Sequence, residues 1–301
     1  MSKRVLQILG FTLLFSPLAY LGYTAVNPQI TEVKLWNGNK TSARQVYEKA
    51  VITAALDATR ASYGEWQLLE DTRDLPFADE EAGVFRVEGF DVFGTVAGNP
   101  KLENERKHLV PVPIMKGLLG YRLLIIRAQD QEKFAAIESA EQLKQLTLGI
   151  PATWADAELF RQNGYSVNEG GSFDDLFVRL ALGEFDYVAF GANEIDSVWQ
   201  ERAASVPGLV REQDLLLVYP FPVVFYVNPT KTYFAERLTQ GLEELQGTGK
   251  LDTIFYAHHG NPVTDFKLDQ RRRFDLSNPQ LPAELKAFQP SLTASPKGEA
   301  Q

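Results

Sequence analysis

Two apolar runs constrain this chain more than any other feature: LLGYRLLII at 118–126 and LLLVYPFPVVFYV at 215–227. Neither alternates apolar with polar residues, so neither suits a strand with one face in water. Both read as strands covered on both faces. Pro220 and Pro222 cut the second run into two strands, because proline has no N–H to give to a ladder. The first run follows ENERKHLVPVPIMKG, where a charged segment bearing Arg106 passes into extended, proline-punctuated backbone. Charge, extended chain and buried strand thus stand side by side.

Around these runs strands alternate with amphipathic helices. TEVKLWNGN reads as a strand ending in a polar turn, and SARQ offers Ser42 and Gln45 as a capping box. The helix that follows carries a stripe of Tyr47, Ala50, Val51, Ala54 and Ala58 up to about Ser62, and Tyr63–Gly64 ends it. EWQLLE returns as a strand. The acidic stretch 71–89 is broken by Pro76 and offers a helix around Asp79–Glu88, and FDVFGTVAGNP is a buried strand running into a loop. A second unit repeats this grammar from Leu143. LTLGIP is a strand, Thr153 to Asp156 a capping box, and ADAELFRQNGY a helix closed by Gly164. SFDD is another box, Phe173, Leu176, Phe177 and Leu180 line a helix ended by Gly183, and FDYVAFG is a strand. A last helix spans 232–246, and the Pro-rich, polar tail from Asn261 wraps or dangles.

Strand, helix, strand with crossover connections is the grammar of an open α/β sheet. Such sheets bind ligands off the carboxyl ends of their strands, where Trp36, Asn37, Gly94 and Thr95 fall. At 301 residues, 45% apolar and 23% charged, the chain is long enough for two lobes. The division expected is a signal peptide at 1–26, a first lobe at 27–125 and 222–260, a second lobe at 126–221, and a tail at 261–301. Two hinge strands join the lobes, and closure about such a hinge captures a small molecule.

Lys3 and Arg4 ahead of an apolar run, with small residues near Ala19, Gly22 and Ala25, form a secretory signal pattern. A retained anchor is the alternative, since 5–26 nearly spans a bilayer; Ser16 and Pro17 argue for the signal. The chain has no Cys, so it offers no lipid-anchor thiol, disulfide framework or thiolate nucleophile. Beyond residue 26 it carries 28 basic against 39 acidic residues, a net −11, which repels phosphate backbones and argues against nucleic acid. The Arg271–Arg273 triplet, flanked by Asp269 and Asp275, reads as a solvated turn.

The order of these pieces resembles the type II periplasmic solute-binding proteins, in the family-three group that serves polar amino acid uptake. The resemblance covers most of 30–258. ER followed by PVPIMKGLLGYRLLIIR resembles that group's Arg-bearing motif and crossing strand; LGIPATWADAELF its strand, Gly-Thr loop and helix; LALGEFDYVAFGANE its helix and Asp-bearing strand; LTQGLEELQGTGKLDTIF its closing helix and turn. The resemblance implies that Arg106 takes a ligand carboxylate through its guanidinium fork, and that Thr153 completes an anion site at a helix start. The group's ammonium-binding Asp would fall near Gly191, leaving Asn193 and Glu194 to substitute. Its Pro-Pro-Phe signature is absent, leaving Trp36 and Asn37 in its place.

Each candidate also has a plainer reading. Arg106 can pair with Glu103 or Glu105, Thr153 can simply cap a helix, Glu194 suits a helix start, and Trp36 can be core. Asp186 supports the fold. Enzyme signals are few. His258–His259 lacks metal-ligand spacing, GTGK at 247–250 lacks a P-loop's length, no G-x-S-x-G elbow occurs, and Ser172 reads as a cap. The expectation is an exported, periplasmic, monomeric, non-enzymatic protein of two α/β lobes. It would bind a small polar or anionic, amino acid-like ligand through Arg106, Thr153, Glu194, Trp36, Asn37, Thr95 and Asn193, without cofactor or metal, for an ABC transporter permease or a membrane sensor. The alternatives are a periplasmic hydrolase or lyase using cleft carboxylates such as Glu194 and Asp196, and a ligand-free interaction module of a signalling system.

Overall fold

The computed structural model describes residues 31–75, 81, 83–86 and 88–292. The leader at 1–26 and part of the helix expected around Asp79–Glu88 lie outside them. Two sheets organise the chain. The first contains β1 (Thr31–Trp36), β2 (Trp66–Asp71), β3 (Val92–Val96) and β4 (His108–Val110), joined late in the chain by β11 (Val223–Val227), in the order β2-β1-β3-β11-β4. Strands β1, β2 and β3 are parallel, and β11 runs antiparallel between β3 and β4. The second sheet has the order β12-β10-β5-β8-β6-β7, built from β5 (Tyr121–Arg127), β6 (Thr147–Ile150), β7 (Ser166–Glu169), β8 (Tyr187–Gly191), β10 (Leu215–Val218) and β12 (Arg272–Asp275). Strand β9 (Leu209–Arg211) also pairs with β5.

The strands behave as their composition requires. Every residue of β3, β10 and β11 is buried, as are six of the seven in β5, which is why β10 and β11 read as unbroken apolar runs, while β3 and β5 bury Thr95 and Arg122 among their apolar residues. The Ser42–Ala58 helix covers the first sheet through Tyr47, Val51, Ile52, Ala55 and Leu56. This face sits beside the expected stripe, with Ala50, Ala54 and Ala58 half-buried at its margin. Its cap is Thr41, whose hydroxyl accepts from the Arg44 N–H, so the cap stands one residue ahead of the Ser42 box expected. The Thr232–Gly247 helix packs closely on it, for a Cβ on Gly241 would lie 2.2 Å from the Ala55 carbonyl oxygen. From the same helix, buried Arg237 donates to the Leu56 and Gly64 carbonyls where the first helix ends, placing a cation where the helix dipole favours one.

The chain passes between the sheets along 111–120 and 219–222, the segments that join β4 to β5 and β10 to β11, and once more between β11 and β12 through 228–271. β5, which the sequence division splits at 125, therefore lies whole in the second sheet. Tyr47 ties the first crossing down by donating its hydroxyl to the Ile114 carbonyl. The tail does not dangle through 292: it makes helix Pro262–Asp265, adds β12 parallel to β10, and buries Leu276, Leu281 and Leu285. One contiguous apolar core reaches from Val33 and Val51 in the first sheet's layer to Leu148 and Phe177 in the second's.

Candidate functional site

The carboxyl ends of the parallel strands of both sheets carry charged clusters. On the first sheet, Glu48 is completely buried and takes two cations: Lys40, and Arg44 at 2.6 Å. Both cations also donate to the Gly94 carbonyl, Lys40 at 3.0 Å and Arg44 at 3.4 Å. Glycine at 94 leaves room for this arrangement, because a Cβ there would stand 2.3 Å from the Glu48 carboxylate and displace it from its cations. Burial works against the Glu48 charge, but Lys40 and Arg44 together outweigh it and hold the carboxyl below its usual range. Burial pulls the Lys40 pKa down despite Glu48. For Arg44 burial is outweighed by Glu48, with Glu194 and Glu81 adding to it, and the pKa rises.

On the second sheet the centre is Arg122, a buried cation within β5. Its guanidinium donates to Asp156 at 2.8 Å, to Glu194 at 3.3 Å and to the Tyr219 hydroxyl at 2.6 Å. That hydroxyl in turn donates to Asp156 at 2.9 Å. Burial opposes the Arg122 charge, yet Tyr219, Asp156 and Glu194 raise its pKa further, so it stays ionised; burial pushes the Tyr219 hydroxyl well up. Tyr219 and Phe221 flank the guanidinium at 5.4 Å. This cluster therefore grips the second crossing, the start of helix Ala157–Gln162 and the loop after β8 at once. Glu194 also accepts from the Gly191 N–H at 3.1 Å. It is the member nearest solvent, and it is the second-lobe acid whose charge Arg44 of the first cluster feels.

The expected site residues scatter around this pair of clusters. Glu194 is a member of one of them, and Asn193 precedes it with both amide atoms buried and unpartnered among the described residues. Asn37 is fully buried at the end of β1, donating to the Gln45 carbonyl and Glu70, with its Oδ1 unpartnered. Thr95 is buried in β3 and accepts from Asn99. Trp36 belongs to a satellite core with Phe85, Phe90 and Phe93, its indole N–H satisfied by the Arg73 carbonyl, so it packs rather than lines a cleft. Arg106 is exposed and pairs with nothing among the described residues; its neighbour Glu105 is held by Arg86 at 3.0 Å. Thr153 is exposed with φ +67°, and the helix it was expected to cap starts at Ala157 without a side-chain cap. The box does not form because a left-handed residue cannot be an extended N-cap. The Ser172–Asp175 box does form. Asp186 braces Lys133, Arg127 and the Thr147 N–H.

Sequence reading passed over Lys40, Arg44, Glu48, Arg122, Asp156 and Tyr219. One signal was there to use: Arg122 is a lone charge inside an apolar run, and a buried charge demands partners.

No protein-family model and no curated protein sequence matches the chain. Solved structures do. A histidine kinase sensor domain with similarity to periplasmic binding proteins superposes with a TM-score of 0.54 at 14% identity, over 77% of this chain and 97% of that one. A probable amino-acid ABC transporter extracellular-binding protein from Bacillus subtilis gives 0.55 at 14%, over 77% and 99%. An ancestral arginine-binding protein bound to arginine gives 0.51 at 14%, over 76% and 98%. The fold is the two-lobed type II periplasmic-binding-protein fold. The segments 111–120 and 219–222 join its two lobes, and Glu194 of the second cluster acts electrostatically on Arg44 of the first.

Proposed function

We propose that this chain is a non-enzymatic binding protein, exported to the periplasm, that closes its lobes on one small polar or anionic, amino acid-like ligand. It would pass that ligand to a membrane transporter or report it to a membrane sensor. The observation that carries the reading is that each lobe has a charged cluster, Lys40, Arg44 and Glu48 on one and Arg122, Asp156 and Glu194 on the other, with Glu194 acting electrostatically on Arg44. A ligand bearing both charge signs would meet complementary groups on both walls. Arg106, Thr153, Thr95 and the amides of Asn37 and Asn193 would complete the site on closure. In this reading 1–26 is removed on export.

Native mass spectrometry before and after mild denaturation tests it, beside a thermal-shift panel of amino acids and small organic anions. A retained small molecule, or a rise in melting temperature that Arg44→Gln and Glu194→Gln abolish, is the expected result; a ligand at 100 times its Kd stabilises by about 2.7 kcal/mol. Loss of binding in Arg106→Ala as well would bring that residue into the site.

A second reading, a ligand-free interaction module, is favoured by one observation: the charges of both clusters are already paired within the chain. An empty wild type that no compound in the panel stabilises would move the assignment there.

A further inference from the structure

The segment after β12 touches both lobes and the segments 111–120 and 219–222 that join them. β12 itself is an edge strand of the second sheet, and Leu276 continues it by donating to the Val218 carbonyl at 2.8 Å. Ser277 and Asn163 of the same lobe then exchange hydrogen bonds, the Ser277 N–H to Oδ1 at 2.9 Å and Nδ2 to the Ser277 carbonyl at 2.8 Å. Asn278 donates to the Pro220 carbonyl of the second crossing at 2.8 Å. The chain next lies against the loop after β3, so closely that a Cβ on Gly98 would stand 2.1 Å from the Gln280 carbonyl oxygen. Leu285 enters the first lobe's satellite core among Trp36, Phe85 and Phe93. Finally Pro290 covers Gly117, and Ser291 donates to the Lys116 carbonyl at 3.2 Å, both on the first crossing.

We propose that residues 276–292 are a strap that holds the two lobes at one separation, so that the cleft opens only when the 280–292 half leaves its first-lobe seat. The inference rests on the reading of the molecule as a closing binding protein and adds the element that controls the closing. Pro279 and Pro282 stiffen the span between the two anchors, so the span cannot stretch to follow a hinge rotation while both anchors stay seated. A groove of about 380 Å³ runs between the strap and the second crossing, lined by Tyr219, Pro220, Leu276, Asn278, Leu281 and Lys286. The strap is thus laid over the hinge and held at discrete points, a geometry that can peel.

Because the chain has no cysteine, spin labels go cleanly onto Glu236→Cys, exposed on the first lobe, and Leu182→Cys, exposed on the second. Interlobe distances are then measured on the full chain with no ligand added. The parent gives one distance population; Leu285→Ser, which unseats the strap from the first lobe, gives a second, longer one. A distribution in Leu285→Ser that coincides with the parent's overturns the proposal. The second arm is hydrogen exchange on the unaltered chain, which needs no variant to fold. The amides of Gln280 and Ser291 exchange at least as fast as those of Gly120 and Tyr219 if the strap has to leave before the hinge opens. Crossing amides exchanging about a hundredfold faster than those of the strap overturn it. Neither arm uses a ligand, so the failure of every compound to bind would count against the binding reading alone.

Discussion

Arg122 shows what a buried charge costs and what it organises. Three side chains from 34, 72 and 97 positions away satisfy it, and without it Asp156, 4% exposed, would keep only the Tyr219 hydroxyl. Arg122→Met should therefore destabilise the protein by about 3–5 kcal/mol in urea denaturation, the usual result of stripping one partner from a buried pair. Adding Asp156→Asn to it should recover part of the loss, since the orphaned charge is then gone. His259 makes the opposite case, a half-buried ring whose buried Nε2 has no partner among the described residues, packed 4.6 Å from the Tyr47 ring and 5.1 Å from Phe255. Burial, with His258 beside it, lowers its pKa to about 4. The unfolded chain binds this proton at about 6.5, so between pH 6.5 and 4 the unfolded state carries more protons and stability falls as the solution is acidified. The loss reaches about 3 kcal/mol below pH 4. A His259→Phe variant should lack this component of the pH profile.

At the scale of elements, the structure depends on a few close approaches between helices and sheets. Gly241 lets the Thr232–Gly247 helix lie against the backbone of Ser42–Ala58 at Ala55. In an exposed helix Gly241→Ala would gain about 1 kcal/mol of propensity. Here the added methyl meets a carbonyl that cannot yield without moving the helix, so the net effect should be a loss of about 1–3 kcal/mol. A thermal melt showing stabilisation would contradict that account. Most elements were readable in advance, from β1 through the Thr232–Gly247 helix, because a strand or helix declares itself within its own length by periodicity and end signals. The Ser172–Asp175 box formed for this reason, and Gly64, Gly164 and Gly183 all take positive φ at helix ends. The Thr153 box had the right residues and failed, since the loop after β6 bends Thr153 into a left-handed conformation. Four-residue β12, RRFD, carries no strand alternation and was legible only as a charged turn. Pairing with β10 makes it a strand.

For the whole molecule, the core that joins both sheets argues for cooperative unfolding in spite of the two-lobed shape. Trp36 and Trp66 report on the first lobe, Trp154 and Trp199 on the second. Denaturation followed through variants that keep one tryptophan from each pair should give coincident transitions. Separate midpoints would mean that the crossings and the shared core do not couple the lobes.

Local pattern alone determined that the chain is an α/β protein of two units, where its buried strands lie, and in what order strands and helices follow one another. Apolar periodicity and caps are written into contiguous residues, and the periplasmic-binding fold was reached through the resemblance of that order to a known family. The tertiary structure alone decided which charges meet. Lys40, Arg44 and Glu48 come together over Gly94, and Arg122 collects Asp156, Glu194 and Tyr219, while Arg106 stays exposed and Trp36 is taken into the core. It also turned the tail into a strand and a strap. Such pairings join residues tens of positions apart, and their energies exist only once folding has removed the groups from water and set them within about 3 Å of each other.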